Sequence, residues 1–292
     1  MVTEVPEAIA RWSDSGRILK ISGRRIFTVD VGPRTADAVL LLHGFPGSSF
    51  DWSRVVDELG SRYRILTLDL LGFGLSEKPL DMSYSLLRQA DICEEFLAGS
   101  GIEKFWIASH DMGDSVAAEL LARNLDGEGC QGLTGLLLTN GSIFIEMAQL
   151  TDGQQALLAL PDAVLAAPLP LDLISASLLA TFPDPEALPA GTVHSMAWLA
   201  ACNEGDRLFP RLIRYIEERR RLQSRWLDAL VRAPVPVAIG WGALDPIAVL
   251  AMATQLKELR PTSQLTVWDD VGHWPNLEVP ERVAALIEGL VG

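Results

Sequence analysis

Apolar positions along the chain change their spacing in a regular way. From Val39 onward, short continuous apolar runs alternate with longer segments in which apolar residues recur at helical spacing. The apolar runs are predicted as strands near 39–43, 65–69, 104–109, 133–139, 235–241 and 264–269. An earlier pair of strands around Gly23 predicts a hairpin. Because strands alternate with helices after the hairpin, we expect an α/β fold with a mostly parallel central sheet.

The middle of the chain has a different pattern. After residue 141 the strand-like runs stop, and prolines occur at positions 161, 168, 170, 183, 185, 189 and 210. Short helices separated by prolines fit this segment. We therefore predict a core formed by residues 1–142 and 232–292, with a helical cap inserted at residues 143–231.

Composition narrows the range of partners and cofactors. The chain has 38 acidic and 24 basic residues, and its net charge of −14 argues against binding to nucleic acid or an anionic membrane. Cys93, Cys130 and Cys202 lack the paired spacing of a disulfide framework or a zinc site. The N-terminus has no apolar signal core, and no apolar run is long enough to span a membrane. We expect a cytoplasmic protein without a metal or an organic cofactor.

One hexapeptide carries the strongest chemical signal. The sequence Ser-His-Asp-Met-Gly-Asp at 109–114 follows an apolar run and precedes a helix-like run. A strand, a sharp turn with small residues around one reactive residue, and a helix form a nucleophile elbow. The central residue is usually Ser, but here it is Asp111. An aspartate is already ionised at neutral pH, so it can attack a saturated electrophilic carbon without a base and form an ester.

Asp111 could instead cap a helix, but the order of two downstream motifs favours catalysis. Asp245 follows a predicted strand, and His273 follows the next one. The order nucleophile, acid, histidine is that of one hydrolase architecture. His273 is predicted to take a proton from the water that hydrolyses the ester, with Asp245 holding its other nitrogen. A rival acid could follow the sixth strand, but the residue there is Asn140.

Another glycine-rich turn lies upstream, where an apolar strand leads into His43-Gly44-Phe45-Pro46. The backbone N–H groups of Phe45 and Met112 are predicted to form the oxyanion hole for ester hydrolysis. We expect His43 and His110 to bond loop backbone. Asp114, in the first turn of the elbow helix, is expected to compensate the helix dipole, although Asp111 and Asp114 could raise each other's pKa.

Together these motifs resemble the α/β-hydrolases that use an aspartate nucleophile, which include epoxide hydrolases and haloalkane dehalogenases. The His43-Gly44-Phe45-Pro46 turn resembles the epoxide hydrolase loop. Further segments are similar to the mesoderm-specific transcript protein family, which is classed with epoxide hydrolase-like proteins: Thr139–Phe144, Asn203-x-Gly205 and Tyr215–Leu230. The resemblance implies an α/β-hydrolase fold and an enzyme that converts a small apolar epoxide and water to a vicinal diol.

Epoxide hydrolases donate a proton to the opened ring from cap tyrosines, usually two. Of the three tyrosines in this chain, only Tyr215 lies in the predicted cap, so it is the candidate donor, with a packing role as the alternative. His194 and Asn203 are candidates for a second donor. We also expect Trp198, Asn203 and Trp274 to contact the substrate.

Two alternatives remain open at this point. In haloalkane dehalogenases a Trp directly after the nucleophile and an Asn after His-Gly bind halide, whereas this chain has Met112 and Phe45 there. A hydrolase-like protein without turnover is the other, although the three triad residues argue against it. The oligomeric state, a homodimer included, is also open.

Overall fold

The computed structural model describes residues 4–292. Residues 1–3, which form part of the N-terminal stretch used above to predict the lack of a signal sequence, lie outside the described residues. The described chain contains an eight-stranded sheet in the order β1-β2-β4-β3-β5-β6-β7-β8. Its strands are β1 (Arg17–Ile21), β2 (Arg24–Val31), β3 (Ala38–Leu42), β4 (Arg64–Leu68), β5 (Phe105–His110), β6 (Leu133–Thr139), β7 (Val237–Gly242) and β8 (Gln264–Trp268).

Strands β1 and β2 form the predicted antiparallel hairpin, and β2 also pairs antiparallel with β4. All other neighbouring strands are parallel. The prediction of an α/β fold with a mostly parallel sheet is therefore confirmed. The central strands β3, β4 and β7 are buried along their whole length, which explains why they are continuous apolar runs rather than alternating ones.

Helices cover both faces of the sheet and fill the middle of the chain. They are α1 (Glu7–Asp14), α2 (Ser53–Leu59), α3 (Leu86–Gly99), α4 (Met112–Asp126), α5 (Asp152–Ala159), α6 (Leu171–Leu179), α7 (Thr192–Ala201), α8 (Phe209–Leu212), α9 (Tyr215–Arg232), α10 (Leu250–Leu259), α11 (Pro275–Glu278) and α12 (Pro280–Val291). Between β6 and β7 the described chain has helices and no strand, within the stretch where the sequence predicts a cap. We refer to residues 143–231 as the cap segment.

Parallel strands bring their carboxyl ends to one edge of the sheet, and this edge collects the predicted chemistry. Strand β5 ends at His110, directly before Asp111, and β6 ends directly before Asn140. The loops that follow β7 and β8 carry Asp245 and His273. Residues far apart in the sequence therefore meet at this edge.

The long helix α9 fastens the cap segment to the core through α4. Glu119 of α4 is buried and accepts hydrogen bonds from Arg225 Nε at 3.0 Å and Trp226 Nε1 at 2.8 Å. At the C-terminal end of α9, Arg260 donates to the carbonyl oxygens of Leu230 and Ala233, among others. A cation on these carbonyls satisfies acceptors that a helix terminus leaves free. Among residues 4–292, no helix combines the length and apolar character needed to cross a membrane.

Candidate active site

The turn at Asp111 has strained backbone geometry, with φ of 50° and ψ of −112°. Its neighbours leave no room for larger residues. A Cβ on Gly113 would lie 2.6 Å from the carbonyl oxygen of Leu42, and a Cβ on Gly44 would lie 2.6 Å from the Cβ of Asp111. The small residues of the sequence motif are thus required by close backbone approach, and they hold Asp111 in a conformation that non-glycine residues rarely adopt.

The two oxygens of the Asp111 carboxylate have different surroundings. Oδ2 accepts a hydrogen bond of 2.9 Å from the backbone N–H of Phe45. Oδ1 accepts no hydrogen bond from any described residue. The Met112 amide is the first of α4, and the first amides of a helix have no partner within the helix. One carboxylate oxygen is therefore held, and the other is free to react.

His273 lies in the loop before α11 and is buried. Its Nδ1 is 2.8 Å from Oδ2 of Asp245. Burial alone would lower the pKa of His273, but the carboxylates of Asp245, Asp111 and Glu278 outweigh burial and raise that pKa above its usual value. Nε2 has no hydrogen-bond partner within residues 4–292, so it is the nitrogen available to a water molecule.

Asp245 is held in place by donors on both of its oxygens. Oδ1 accepts from the N–H groups of Ile247 at 2.7 Å and Ala248 at 2.9 Å. Oδ2 accepts from Asn140 Nδ2 at 2.8 Å as well as facing His273. The carboxylate is therefore held in orientation toward the imidazole.

Asn140 is a functional residue whose role the sequence analysis missed. It occupies the position where a rival acid was considered, and it donates a hydrogen bond to Asp245 instead. Its Oδ1 accepts from the N–H of Gly242 at 2.9 Å, which fixes the orientation of the amide. Its φ of 47° favours Asn over most other residues. The sequence contained a signal for this role: an Asn stands directly after one buried strand, and Asp245 follows the next strand.

Glu278 is the second residue that sequence reasoning missed. Its Oε2 accepts from the N–H of Gly272 at 2.8 Å, and its Oε1 accepts from the N–H of Trp274 at 2.9 Å. The carboxylate therefore clamps the backbone on both sides of His273. Burial raises the pKa of Glu278, although the two N–H groups oppose that shift. The signal was a carboxylate in the first turn after the histidine loop.

Tyr215 is the first residue of α9, and the structure brings it to the nucleophile. Its ring centroid is 5.6 Å from that of Phe45, whose backbone N–H holds Asp111. Burial and the negative charge of Asp111 raise the pKa of Tyr215, so the phenol stays protonated. Its hydroxyl forms no hydrogen bond with a described residue. Tyr215 is therefore a neutral phenol without a hydrogen-bond partner among the described residues, and its ring packs on the residue that holds Asp111.

Comparison with known proteins fits this geometry. A model of the alpha/beta hydrolase fold matches residues 37–280. The chain belongs to the alpha/beta hydrolase family. Among its relatives, LipZ of Mycobacterium tuberculosis is 36% identical over 95% of this chain and 96% of LipZ. The mesoderm-specific transcript protein of Mus musculus is 33% identical over 95% of this chain and 86% of that protein.

A solved structure shows the same architecture as this hydrolase. An alpha/beta hydrolase fold protein from Burkholderia ambifaria is 26% identical and superposes with a TM-score of 0.76, covering 93% of this chain and 96% of that one. The predicted family resemblance is confirmed at the level of the hydrolase fold. The comparisons do not assign a substrate, so the choice of substrate class depends on the site itself.

Trp274 lies against His273 and connects it to the cap segment. Its ring centroid is 5.1 Å from that of His273 and 6.0 Å from that of Phe182, on which it stacks. Its Nε1 donates to Thr181 Oγ1 at 2.7 Å, and the carbonyl of Thr181 accepts from the His273 N–H at 3.3 Å. The cap segment therefore contacts the histidine loop directly.

Three other cap residues expected near the substrate lie elsewhere. Trp198 packs in the apolar cluster of Trp12 and Phe50, apart from the cluster that holds Tyr215. Asn203 is exposed and lines a surface depression of about 330 Å³ that contains no triad residue. His194 is also exposed. Helices α7 and α9 face different parts of the core, and sequence spacing alone does not show which helix faces the site.

The two histidines beside the catalytic loops bond backbone, as expected. His43 Nε2 accepts from the N–H of Leu70 at 3.0 Å, and burial lowers its pKa. His110 Nε2 donates to the carbonyl of His273 at 2.7 Å, and burial lowers its pKa further. Both are therefore neutral structural groups, each attached to a loop of the site.

Asp114 lies in the first turn of α4, as expected, but it is buried. Its Oδ1 accepts from Ser109 Oγ at 2.6 Å. Burial raises the pKa of Asp114 well above its usual value, Ser109 and Arg219 oppose this rise, and the charge of Asp111 adds to it. The contribution of Asp111 agrees with the coupling between the two carboxyl groups that the sequence suggests.

Proposed function

We propose that this alpha/beta hydrolase opens a small apolar epoxide to a vicinal diol through an ester on Asp111. The observation that carries the proposal is the carboxylate at the elbow. One of its oxygens is held by the Phe45 N–H, and the other has no partner among the described residues. A hydroxyl at this position would suit acyl transfer, whereas a carboxylate suits attack on a saturated carbon.

Ring opening is the first step. Asp111 Oδ1 attacks one ring carbon, a C–O bond of the epoxide breaks, and the ring oxygen receives the proton of the Tyr215 hydroxyl. The products are an alkyl ester on Asp111 and a tyrosinate. General acid assistance of this kind contributes about 10²- to 10⁴-fold. The free hydroxyl of Tyr215 beside Asp111 supports this assignment.

Ester hydrolysis is the second step. His273 Nε2 takes a proton from water, and the resulting hydroxide attacks the carboxyl carbon of the ester. Negative charge develops on Oδ2, which already accepts the Phe45 N–H at 2.9 Å, and the Met112 amide lies at the adjoining helix start. The diol leaves with the proton from His273. Asp111 then releases its proton and becomes ionised again, and this proton restores the hydroxyl of Tyr215.

Asp245 and its donors serve this second step. The imidazolium that forms on His273 is stabilised by the carboxylate 2.8 Å from Nδ1. Because Asn140 and two backbone N–H groups hold Asp245, the carboxylate does not have to move when the charge appears. The site therefore separates a step that needs an acid from a step that needs a base.

The substrate class follows from the rings beside the nucleophile. The Phe45 ring packs edge-on against Phe73 at 6.4 Å and Phe209 at 5.8 Å, and it also contacts Tyr215. Such surroundings favour an apolar substrate over a charged one. The net charge of the chain, −14, disfavours an anionic substrate. We also propose a cytoplasmic location for the enzyme.

Dehalogenation is the competing hydrolytic reaction. It uses the same covalent ester but requires N–H donors that bind halide. The side chains at the two positions where dehalogenases carry such donors, Met112 and Phe45, have none. No observed contact therefore favours halide as the leaving group.

A single turnover in ¹⁸O-water tests the proposal. With enzyme in excess over styrene oxide, the first diol should contain no ¹⁸O, and the peptide that contains Asp111 should gain one ¹⁸O atom. A first diol labelled from solvent would show direct attack by water and would disprove the covalent route. In a parallel panel of haloalkanes, halide release without any epoxide turnover would reverse the choice of substrate.

A further inference from the structure

Arg219 is a fully buried cation that the two catalytic steps above do not use. It lies one turn after Tyr215 on α9, and its side chain reaches into the core beneath the elbow. Nη2 donates to the backbone carbonyl of Asp111 at 3.1 Å, and Nε donates to Ser115 Oγ at 2.8 Å. One residue of the cap segment is thus bonded to the nucleophile's own backbone.

The guanidinium also lies over an aromatic ring. Its Cζ is 5.0 Å from the ring centroid of Tyr215. The cation forms no salt bridge with a described carboxylate, and its Nη1 is buried without a hydrogen-bond partner. An arginine cannot release its proton to relieve burial. Its charge acts on the carbonyl of Asp111, on Ser115 and on the face of Tyr215, and it also lowers the pKa of the buried Asp114 carboxyl.

We propose that Arg219 is a positioning residue for ring opening, an inference that rests on the proposed function. It fixes Tyr215 relative to Asp111, and its charge favours the negative charge that appears on the Tyr215 oxygen as the proton leaves. A cation over an aromatic face is attractive, and the attraction is strongest when water is excluded. Burial and the charge of Asp111 make proton loss from Tyr215 harder, whereas the nearby cation of Arg219 makes it easier.

The contact with a carbonyl rather than a carboxylate supports this role. A direct salt bridge between Arg219 and the Asp111 carboxylate would occupy the oxygens that must react. The observed bond to the backbone carbonyl leaves Oδ1 free while it still places a positive charge near the nucleophile. The same side chain therefore joins the cap segment to the elbow without blocking attack.

The proposed role can be distinguished from a purely structural one, because it concerns only ring opening and not ester hydrolysis. Arg219→Met keeps much of the volume and removes the charge. We expect it to slow formation of the Asp111 adduct from styrene oxide by at least about tenfold. Hydrolysis of the adduct, which depends on His273, should change by less than about twofold. Arg219→Lys should restore part of the alkylation rate.

Arg220→Met is the matched control. Arg220 is an exposed neighbour on α9, and this variant should match the wild type.

The double variant Arg219→Met with Tyr215→Phe provides the decisive comparison. If Arg219 acts through Tyr215, removing it from the Tyr215→Phe enzyme should cause little further loss in alkylation. Fully additive losses, or equal slowing of alkylation and hydrolysis, would overturn the inference and leave a structural latch. If Arg219→Met does not fold, Arg219→Gln, which also removes the charge, carries the test, and a wild-type alkylation rate in that variant would overturn the inference. A wild-type enzyme that forms no adduct would instead overturn the proposed function, and this inference with it.

Discussion

The sheet edge and the cap segment hold their functional groups in different ways. At the sheet edge, Asp245 has donors on both oxygens, and the backbone around His273 is clamped by Glu278. In the cap segment, the hydroxyl of Tyr215 has no partner among the described residues, although its ring is packed between Phe45 and Arg219. The core therefore holds the polar atoms of its functional groups by hydrogen bonds. The cap segment holds the ring of Tyr215 by packing and leaves the hydroxyl without a partner among the described residues.

The difference follows from what each group has to do. A buried charge is costly without hydrogen bonds, so the carboxylates of the core need several donors each. The hydroxyl of Tyr215 must form a new bond to the ring oxygen of the substrate, and an existing strong bond would compete with it. The comparison implies that core variants should damage charge stabilisation and that cap variants should damage proton donation.

The largest effect is expected at the nucleophile. Asp111→Asn replaces an anion with a neutral amide of similar shape, and Asn tolerates the positive φ of the elbow. We expect turnover of styrene oxide to fall by at least about 10⁴-fold, with no adduct in the mass spectrum. Asp114→Asn is the matched control, because it makes the same change at a buried carboxyl three residues away, and it should retain most activity. Similar losses in both variants would contradict the distinction between these two carboxyl groups.

His273→Gln should show the next largest effect and should divide the two steps. Turnover should fall by about 10³-fold, because water at neutral pH is a poor nucleophile without a base. Alkylation needs no base, so the adduct on the peptide containing Asp111 should accumulate. Intact mass measured over time tests this expectation. His194→Gln, at an exposed histidine of the cap segment, should turn over as the wild type does. A His273→Gln enzyme without adduct would assign His273 to the first step.

Tyr215→Phe tests the cap side of the comparison. Removing the hydroxyl should slow adduct formation by about 10²-fold and leave adduct hydrolysis unchanged. Rapid-quench measurement of both rates separates these outcomes. Tyr63→Phe, at a partly buried tyrosine before β4, serves as the control. If alkylation were unaffected in Tyr215→Phe, the hydroxyl would have a packing role only, and another donor would have to open the ring.

The same division explains what the sequence could predict. Strands β3, β5 and β7 are buried apolar runs, whereas β8 is a partly exposed edge strand. The residues that follow these four strands carry recognisable chemistry. Chain order together with parallel pairing was enough to bring Asp111, Asp245 and His273 to one edge. The elbow was also predictable, because its small residues lie within two positions of Asp111 in the sequence. The close approach that requires Gly113, however, is to Leu42 of another strand.

Side-chain contacts between distant parts of the sequence were harder to predict. Asn140 and Glu278 act on residues that they meet only in three dimensions, and Asn140 was considered only as a missing acid. In the cap segment, helical spacing does not reveal which helix faces the nucleophile, so Trp198 and Asn203 were expected in the pocket. The charge state of Asp114 depends on burial, which a motif does not show.

Glu278→Gln should give the smallest effect on rate. The variant keeps one oxygen acceptor and places an NH₂ group against the other backbone N–H beside His273. The unsatisfied N–H should lower the free energy of unfolding by about 1–3 kcal/mol, while turnover falls by less than about tenfold. Glu281→Gln, at an exposed position three residues later, is the control.

The pH profile shows whether Glu278 acts by charge as well as by geometry. His273 works as a base when neutral, so ester hydrolysis rises with pH through the pKa of His273. Asp245, Asp111 and Glu278 together raise that pKa against the effect of burial. Removing one of these negative charges should lower it, and the acidic limb of the profile for adduct hydrolysis should move to lower pH. An unchanged limb with reduced stability would assign Glu278 to loop geometry alone. A limb displaced to higher pH would contradict both the electrostatic argument and the assignment of His273 as the base.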